Sequence, residues 1–161
     1  MTYVKKGPEI AFKGKKAKFG VSSMTSTLKT VGMLKPMEAL RAANPARWHY
    51  GQSFDPTKID SNYLSFTRLL TELDVDILWM TPKNNKIADS VFTYDASFMT
   101  QNGAILLSPG KPLRKGEEKI HEDFYVSHGV PIIGKTSGLA VAEGGDMFWI
   151  DNKTLVIGKG F

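Results

Sequence analysis

"SVFTYDASFMTQNGAILLSPGKPLRKGEEKIHEDFYVSHGVPIIGKT", residues 90–136, decides the fold. The run 90–100 is rich in strand-forming residues and reads as a strand. Gln101-Asn102-Gly103 makes a turn, and "AILLS" (104–108) pairs back as a hairpin. "LRKGEEKIHEDFYVSHG" (113–129) then sets Ile120, Phe124 and Tyr125 on one side of a helix, with Gly129 as its C-terminal stop. "PIIGKT" (131–136) follows as a strand. Hairpin, helix and strand make one unit.

The same order extends to either side. "LKTVGML" (28–34) reads as a strand, and "KIDSNYLSFTRLLTELD" (58–74) as a helix with Tyr63, Phe66, Leu69, Leu70 and Leu73 on one face. "VDILWM" (75–80) is the strand after it. Between them, 36–56 is a long connection punctuated by Pro36, Pro45 and Pro56, with room for a helical turn. Connections of that length are often lids or binding loops. "DMFWI", a turn at Asp151-Asn152-Lys153 and "TLVIG" form a third hairpin, about fifty residues after "AILLS". The expected class is α/β, built from repeated modules. Repeats bury one another's open faces, so the third hairpin calls for a further partner.

The net charge of +5 is local. Lys5, Lys6, Lys13, Lys15, Lys16 and Lys18 stand against Glu9 alone, and the remaining basic and acidic residues balance. The division expected is a basic N-terminal tail over 1–20 and a neutral catalytic-domain half over 21–161. The aromatics are not interleaved with those lysines, which argues against a nucleic-acid partner. There is no cysteine, which removes disulfides, thiolate metal sites and thiol chemistry from this chain. His49, His121 and His128 lack metal-ligand spacing, and neither a metal nor a cofactor is expected. With no membrane-length or signal-like apolar run, the expected location is cytoplasmic, away from membranes.

Two acidic stretches invite a chemical reading. In "ADSVFTYD" (88–95), Asp89 and Asp95 bracket an apolar run. They are either loop acids facing water, the simpler reading of these residues alone, or a pair receiving a cation. A guanidinium would suit such a pair, because its planar edges match carboxylates through parallel hydrogen bonds. Phe92 could then cover its flat face. In "AEGGDMFW" (142–149), Glu143 and Asp146 flank Gly144 and Gly145. The glycines remove bulk and permit unusual backbone angles, so a carboxylate could approach a ligand closely. An ordinary turn before a hairpin explains them equally well.

Taken in order, "DSVFTYD", "GAILLSPGKPLRKGEE", "VAEGGDMFWID" and "LVIGKGF" resemble the guanidino-group-modifying enzymes of the pentein fold. That family includes dimethylarginine dimethylaminohydrolases, arginine deiminases and amidinotransferases. The resemblance runs from about Leu28 to Phe161 and implies about half of a five-module α/β propeller. It implies an amidinohydrolase acting on arginine or a derivative through a cysteine thiouronium, without a metal. Asp95 would bind the guanidinium, and Glu143 would contact the substrate or orient a histidine. Asp89 would contact another part of the substrate, Phe92 and Tyr94 would line the pocket, and Asp146 would support the glycine turn. Ser108 stands where dimethylargininases place a carboxylate-binding arginine. The nucleophilic cysteine and the histidine would come from a complementary C-terminal polypeptide, and a dimer is the assembly expected of the complete enzyme. Amidino transfer, or guanidinium binding without catalysis, are the alternatives the resemblance leaves open.

Overall fold

A computed structural model describes residues 19–159; the lysine-rich segment lies outside the described residues. Strand β1 (Thr30–Met33) runs parallel to β2 (Asp76–Trp79). The connection between them carries two single-turn helices, α1 (Glu38–Arg41) and α2 (Pro45–Trp48), where one turn was expected, and then α3 (Ile59–Glu72). Asn44 starts α2 by accepting the Arg47 N–H at 3.0 Å, and His49 ends it in the left-handed region at φ 57°. Asp55 caps the 3-10 turn that leads into α3, accepting the Thr57 N–H at 3.0 Å.

The middle module is the most complete. Strand β3 (Ser97–Thr100) is antiparallel to β4 (Gly103–Leu106), and β5 (Ile132–Lys135) is parallel to β4 on its other side. Helix α4 (Glu117–Ser127) joins β4 to β5. Its end follows the expected chemistry. Gly129 sits at φ 67°, its N–H reaches Val126 O at 3.2 Å, and the Val130 N–H reaches Tyr125 O at 2.9 Å, the paired bonds of a Schellman stop. Gly103 has φ 141°, and a Cβ there would lie 2.3 Å from Pro131 O, so the start of β4 is closed to any side chain. A short hairpin, β6 (Met147–Trp149) with β7 (Leu155–Ile157), completes the described elements.

One expectation changes, and one apolar face is covered only in part. The run 90–100 is not one strand: residues 88–91 form a 3-10 turn, further turns follow, and pairing starts only at Ser97. Ser90 donates to Ile87 O at 2.7 Å, Phe92 N–H to Asp89 O at 2.9 Å and Asp95 N–H to Phe92 O at 3.2 Å. Those local bonds occupy groups a strand would offer its neighbour. Along α3, only Leu70 is buried and Tyr63 half-buried, while Phe66, Leu69 and Leu73 are exposed. A pair of four-residue strands is too narrow to cover the whole apolar stripe.

Ile120, Phe124 and Tyr125 do share the core face of α4, against Ala104 and Leu106 of β4 and against Leu34 and Met80 of the first module. One polar group lies in this core. His121 is 2% exposed, with Nδ1 2.8 Å from Ser97 Oγ, which is itself 2.7 Å from the Tyr125 hydroxyl. Burial, and then the charge of Arg114, push the imidazole down to about 4. No helix of the described residues is long and apolar enough to cross a membrane.

A histidine kept neutral by the fold takes up its proton more readily when unfolded. Its contribution is therefore complete above the ordinary value of 6.5 and is lost as pH falls towards about 4. Urea unfolding of the parent and of His121→Gln should show curves that diverge across that window, by on the order of 3 kcal/mol. Glu117, shifted upward by burial, acts with the opposite sign but is common to both proteins. Curves parallel throughout would place the imidazole in water.

Candidate functional site

The carboxylates of interest surround the turn 112–114, which begins at Pro112 and ends at Arg114. Arg114 is 4% exposed. Its Nε and Nη2 donate to the two oxygens of Glu117 at 2.9 and 2.7 Å, a matched fork. Its Nη1 donates to Asp95 Oδ2 at 2.8 Å, and Glu143 Oε2 lies 3.7 Å from the same nitrogen. Asp89 Oδ2 is 4.0 Å from Nε. Burial opposes the charge on Arg114, but the hydrogen bonds to Glu117 and then Asp95 outweigh it and hold the guanidinium more firmly protonated than usual. Glu117, 1% exposed, is pushed up by burial, and the Arg114 fork offsets that only in part.

Asp89 is buried rather than at a rim, 2% exposed in the 3-10 turn. The Tyr50 hydroxyl donates to its Oδ1, and Lys111 Nζ donates to its Oδ2 at 2.5 Å. The same ammonium donates to Trp48 O at 2.8 Å and lies 5.7 Å from the ring centres of both Trp48 and Tyr50. Burial, and then the bond to Asp89, keep the Tyr50 hydroxyl protonated well above its ordinary range. The proline-punctuated connection is thus tied to the acidic cluster through Asp89 and Lys111.

Glu143 is carried by a stitched loop. Ala142 N–H bonds Ser108 O at 2.9 Å, Gly110 N–H bonds Glu143 Oε1 at 3.0 Å, and Gly144 N–H bonds Asp95 O at 3.0 Å. Asp146 Oδ2 accepts the Glu143 N–H at 3.2 Å and so braces the glycine turn. Of the two reasons for the paired glycines, space applies and angle does not. A Cβ on Gly144 would lie 1.9 Å from Tyr94 O, whereas neither glycine has a positive φ. This contact brings Glu143 and Asp95 to one place.

The remaining candidates lie further out. Phe92, 51% exposed, lines an open apolar groove of about 590 Å³ with Tyr50, Phe54, Tyr63 and Phe66, and His49 borders it. Tyr94 is exposed, its hydroxyl 3.5 Å from Met147 O, and Ser108 is half-buried and meets the cluster through its backbone. Residue-level reasoning missed Lys111, Arg114, Glu117 and Tyr50. Arg114 and Glu117 stand three apart inside the motif "LRKGEE", a spacing that pairs opposite charges.

No family model matches the sequence. A solved dimethylarginine dimethylaminohydrolase carrying S-methyl-L-thiocitrulline superposes with a TM-score of 0.63 at 26% identity, over 76% of this chain and 47% of that one. The Pseudomonas aeruginosa enzyme with citrulline gives 0.63 at 25%, over 78% and 48%. This chain has the pentein fold of the guanidino-modifying enzymes. Unliganded AgrE shares the pentein fold at a TM-score of 0.67 and 19% identity, over 84% of this chain and 20% of that one. The uncharacterized protein YkgA of Bacillus subtilis is 35% identical over 80 residues, 49% of this chain and 27% of its own length. The pentein described here therefore spans less than half the length of the proteins it matches.

Two stability outcomes follow from this geometry. Arg114→Met leaves Glu117 buried without a partner and should cost about 3–5 kcal/mol in urea unfolding, much of it recovered by Arg114→Met with Glu117→Met. Gly144→Ala should destabilise by about 1–3 kcal/mol, because Tyr94 backbone must move. A neutral Gly144→Ala would mean that the two loops do not pack as described.

Proposed function

We propose that this chain is the substrate-gripping part of an amidinohydrolase acting on a guanidino compound. The supporting observation is the convergence of Asp95 and Glu143 on one guanidinium nitrogen of Arg114, in a fold shared with guanidino-modifying enzymes. Asp95 spends one oxygen on Arg114 and has no hydrogen-bond partner on Oδ1 among the described residues. Glu143 uses Oε1 on Gly110 N–H, and its Oε2, 3.7 Å from Arg114 Nη1, makes no hydrogen bond among the described residues. Those two oxygens can accept N–H bonds from a substrate guanidinium and fix its plane. Phe92 and Tyr94 border the approach.

The chemical step needs a nucleophile that these residues do not contain. A cysteine thiolate from a complementary C-terminal polypeptide attacks the guanidinium carbon, and the amine leaves with a proton from a histidine. Water, deprotonated by that histidine, then adds to the thiouronium carbon and expels the thiolate, leaving a urea-type product. Asp95 and Glu143 accept N–H bonds from the planar cationic states, the guanidinium and then the thiouronium. Amidino transfer would replace that water by an amine acceptor.

Methylguanidinium titrated into the 161-residue chain should bind, and Asp95→Asn or Glu143→Gln should each weaken binding about tenfold. In the complete enzyme, Asp95→Asn should abolish turnover. Binding without any cysteine-bearing partner in the native mass of the purified particle would favour a guanidinium-binding module. Undiminished binding by Asp95→Asn would remove the assigned grip.

A further inference from the structure

The four carboxylates of the cluster do not stand in equal positions. Asp89 is matched by Lys111 and has both oxygens engaged, one by the ammonium and one by the Tyr50 hydroxyl. Glu117 is matched by Arg114, again through both oxygens. The uncompensated negative charge therefore rests on Asp95 and Glu143, which share a single Arg114 nitrogen. Each keeps one oxygen without a hydrogen bond among the described residues. Half-buried like charges held together favour a cation beside them.

Resting on the guanidinium reading above, the geometry points to Lys111 as a specificity-determining residue: its ammonium already fills Asp89, so the site accepts guanidino compounds whose guanidinium is their only cation and gains nothing from a second, terminal ammonium. A ligand ammonium would have to displace Lys111 from Asp89, from Trp48 O and from the faces of two aromatic rings. It would also approach a fixed positive charge, a repulsive element that discriminates as much as any attraction. The selected class is alkylguanidines and guanidino acids, and diamine-like guanidines are disfavoured.

The test uses a matched pair of probes, n-butylguanidinium and agmatine, which differ only by the terminal ammonium. Calorimetric titration of the full chain near physiological salt limits general attraction to the acidic cluster. The parent should bind agmatine no more than about threefold tighter than n-butylguanidinium. Lys111→Met, which keeps the stem and removes the charge, should raise the agmatine-to-butylguanidinium ratio about tenfold by freeing Asp89. An agmatine preference of tenfold in the parent, or a ratio unmoved in folded Lys111→Met, overturns the role of Lys111 while leaving the guanidinium site standing. Failure of both probes to bind the parent overturns the guanidinium site itself, and this inference with it. If Lys111→Met does not fold, the parent ratio alone decides.

Discussion

Arg114 is a guanidinium taken out of water with each of its nitrogens hydrogen-bonded to a carboxylate, and the arrangement of the site depends on it. Its fork on Glu117 ties the turn 112–114 to the first turn of α4. Its Nη1 reaches Asp95, at the end of the irregular segment before β3, and draws Glu143 from the loop before β6. Three stretches distant in sequence meet on one planar group. Burying such a charge is costly unless its donors are satisfied, so the geometry around Arg114 is narrow and the acids cannot drift apart cheaply.

The backbone supplies the second constraint. Gly144 packs on the carbonyl of Tyr94 more closely than any side chain would allow, and its N–H bonds Asp95 O. That contact sets how near Glu143 comes to Asp95, while the Arg114 Nη1 bond sets which way Asp95 faces. Neither is sufficient alone: without the glycine contact the loop stands off, and without Arg114 two acids repel. The connection between β1 and α3 is held to the same cluster from the opposite side, through Tyr50 and Lys111 on Asp89. The aromatic groove beside Phe92 meets the acidic cluster through Tyr50, which lines the groove and donates to Asp89.

Much of the architecture was legible because it depends on local chemistry. The hairpin turn at Gly103, the helix stop at Gly129 and the core stripe of Ile120, Phe124 and Tyr125 follow from periodicity and from what glycine alone can do. Asp95 and Glu143 were legible as acids in unusual settings, and the structure brings them together. The segment 90–96 was misread as strand, because side-chain and i,i+3 bonds leave no signature in hydrophobic pattern. Phe66, Leu69 and Leu73 stay exposed although they share a face with Leu70, because periodicity reports a face and not the width of what covers it.

By itself, the sequence determined the order of hairpin, helix and strand, the absence of a thiol nucleophile and the presence of acids flanking tight turns. These are properties of neighbouring residues and of composition. Only the tertiary structure decided which cation each acid meets: Asp89 is satisfied by Lys111, Glu117 by Arg114, and Asp95 and Glu143 are left in charge surplus. The physical reason is that pairing in a buried cluster depends on distances of a few ångströms between segments far apart in the chain. Desolvation there magnifies every choice of partner, and no local pattern encodes it.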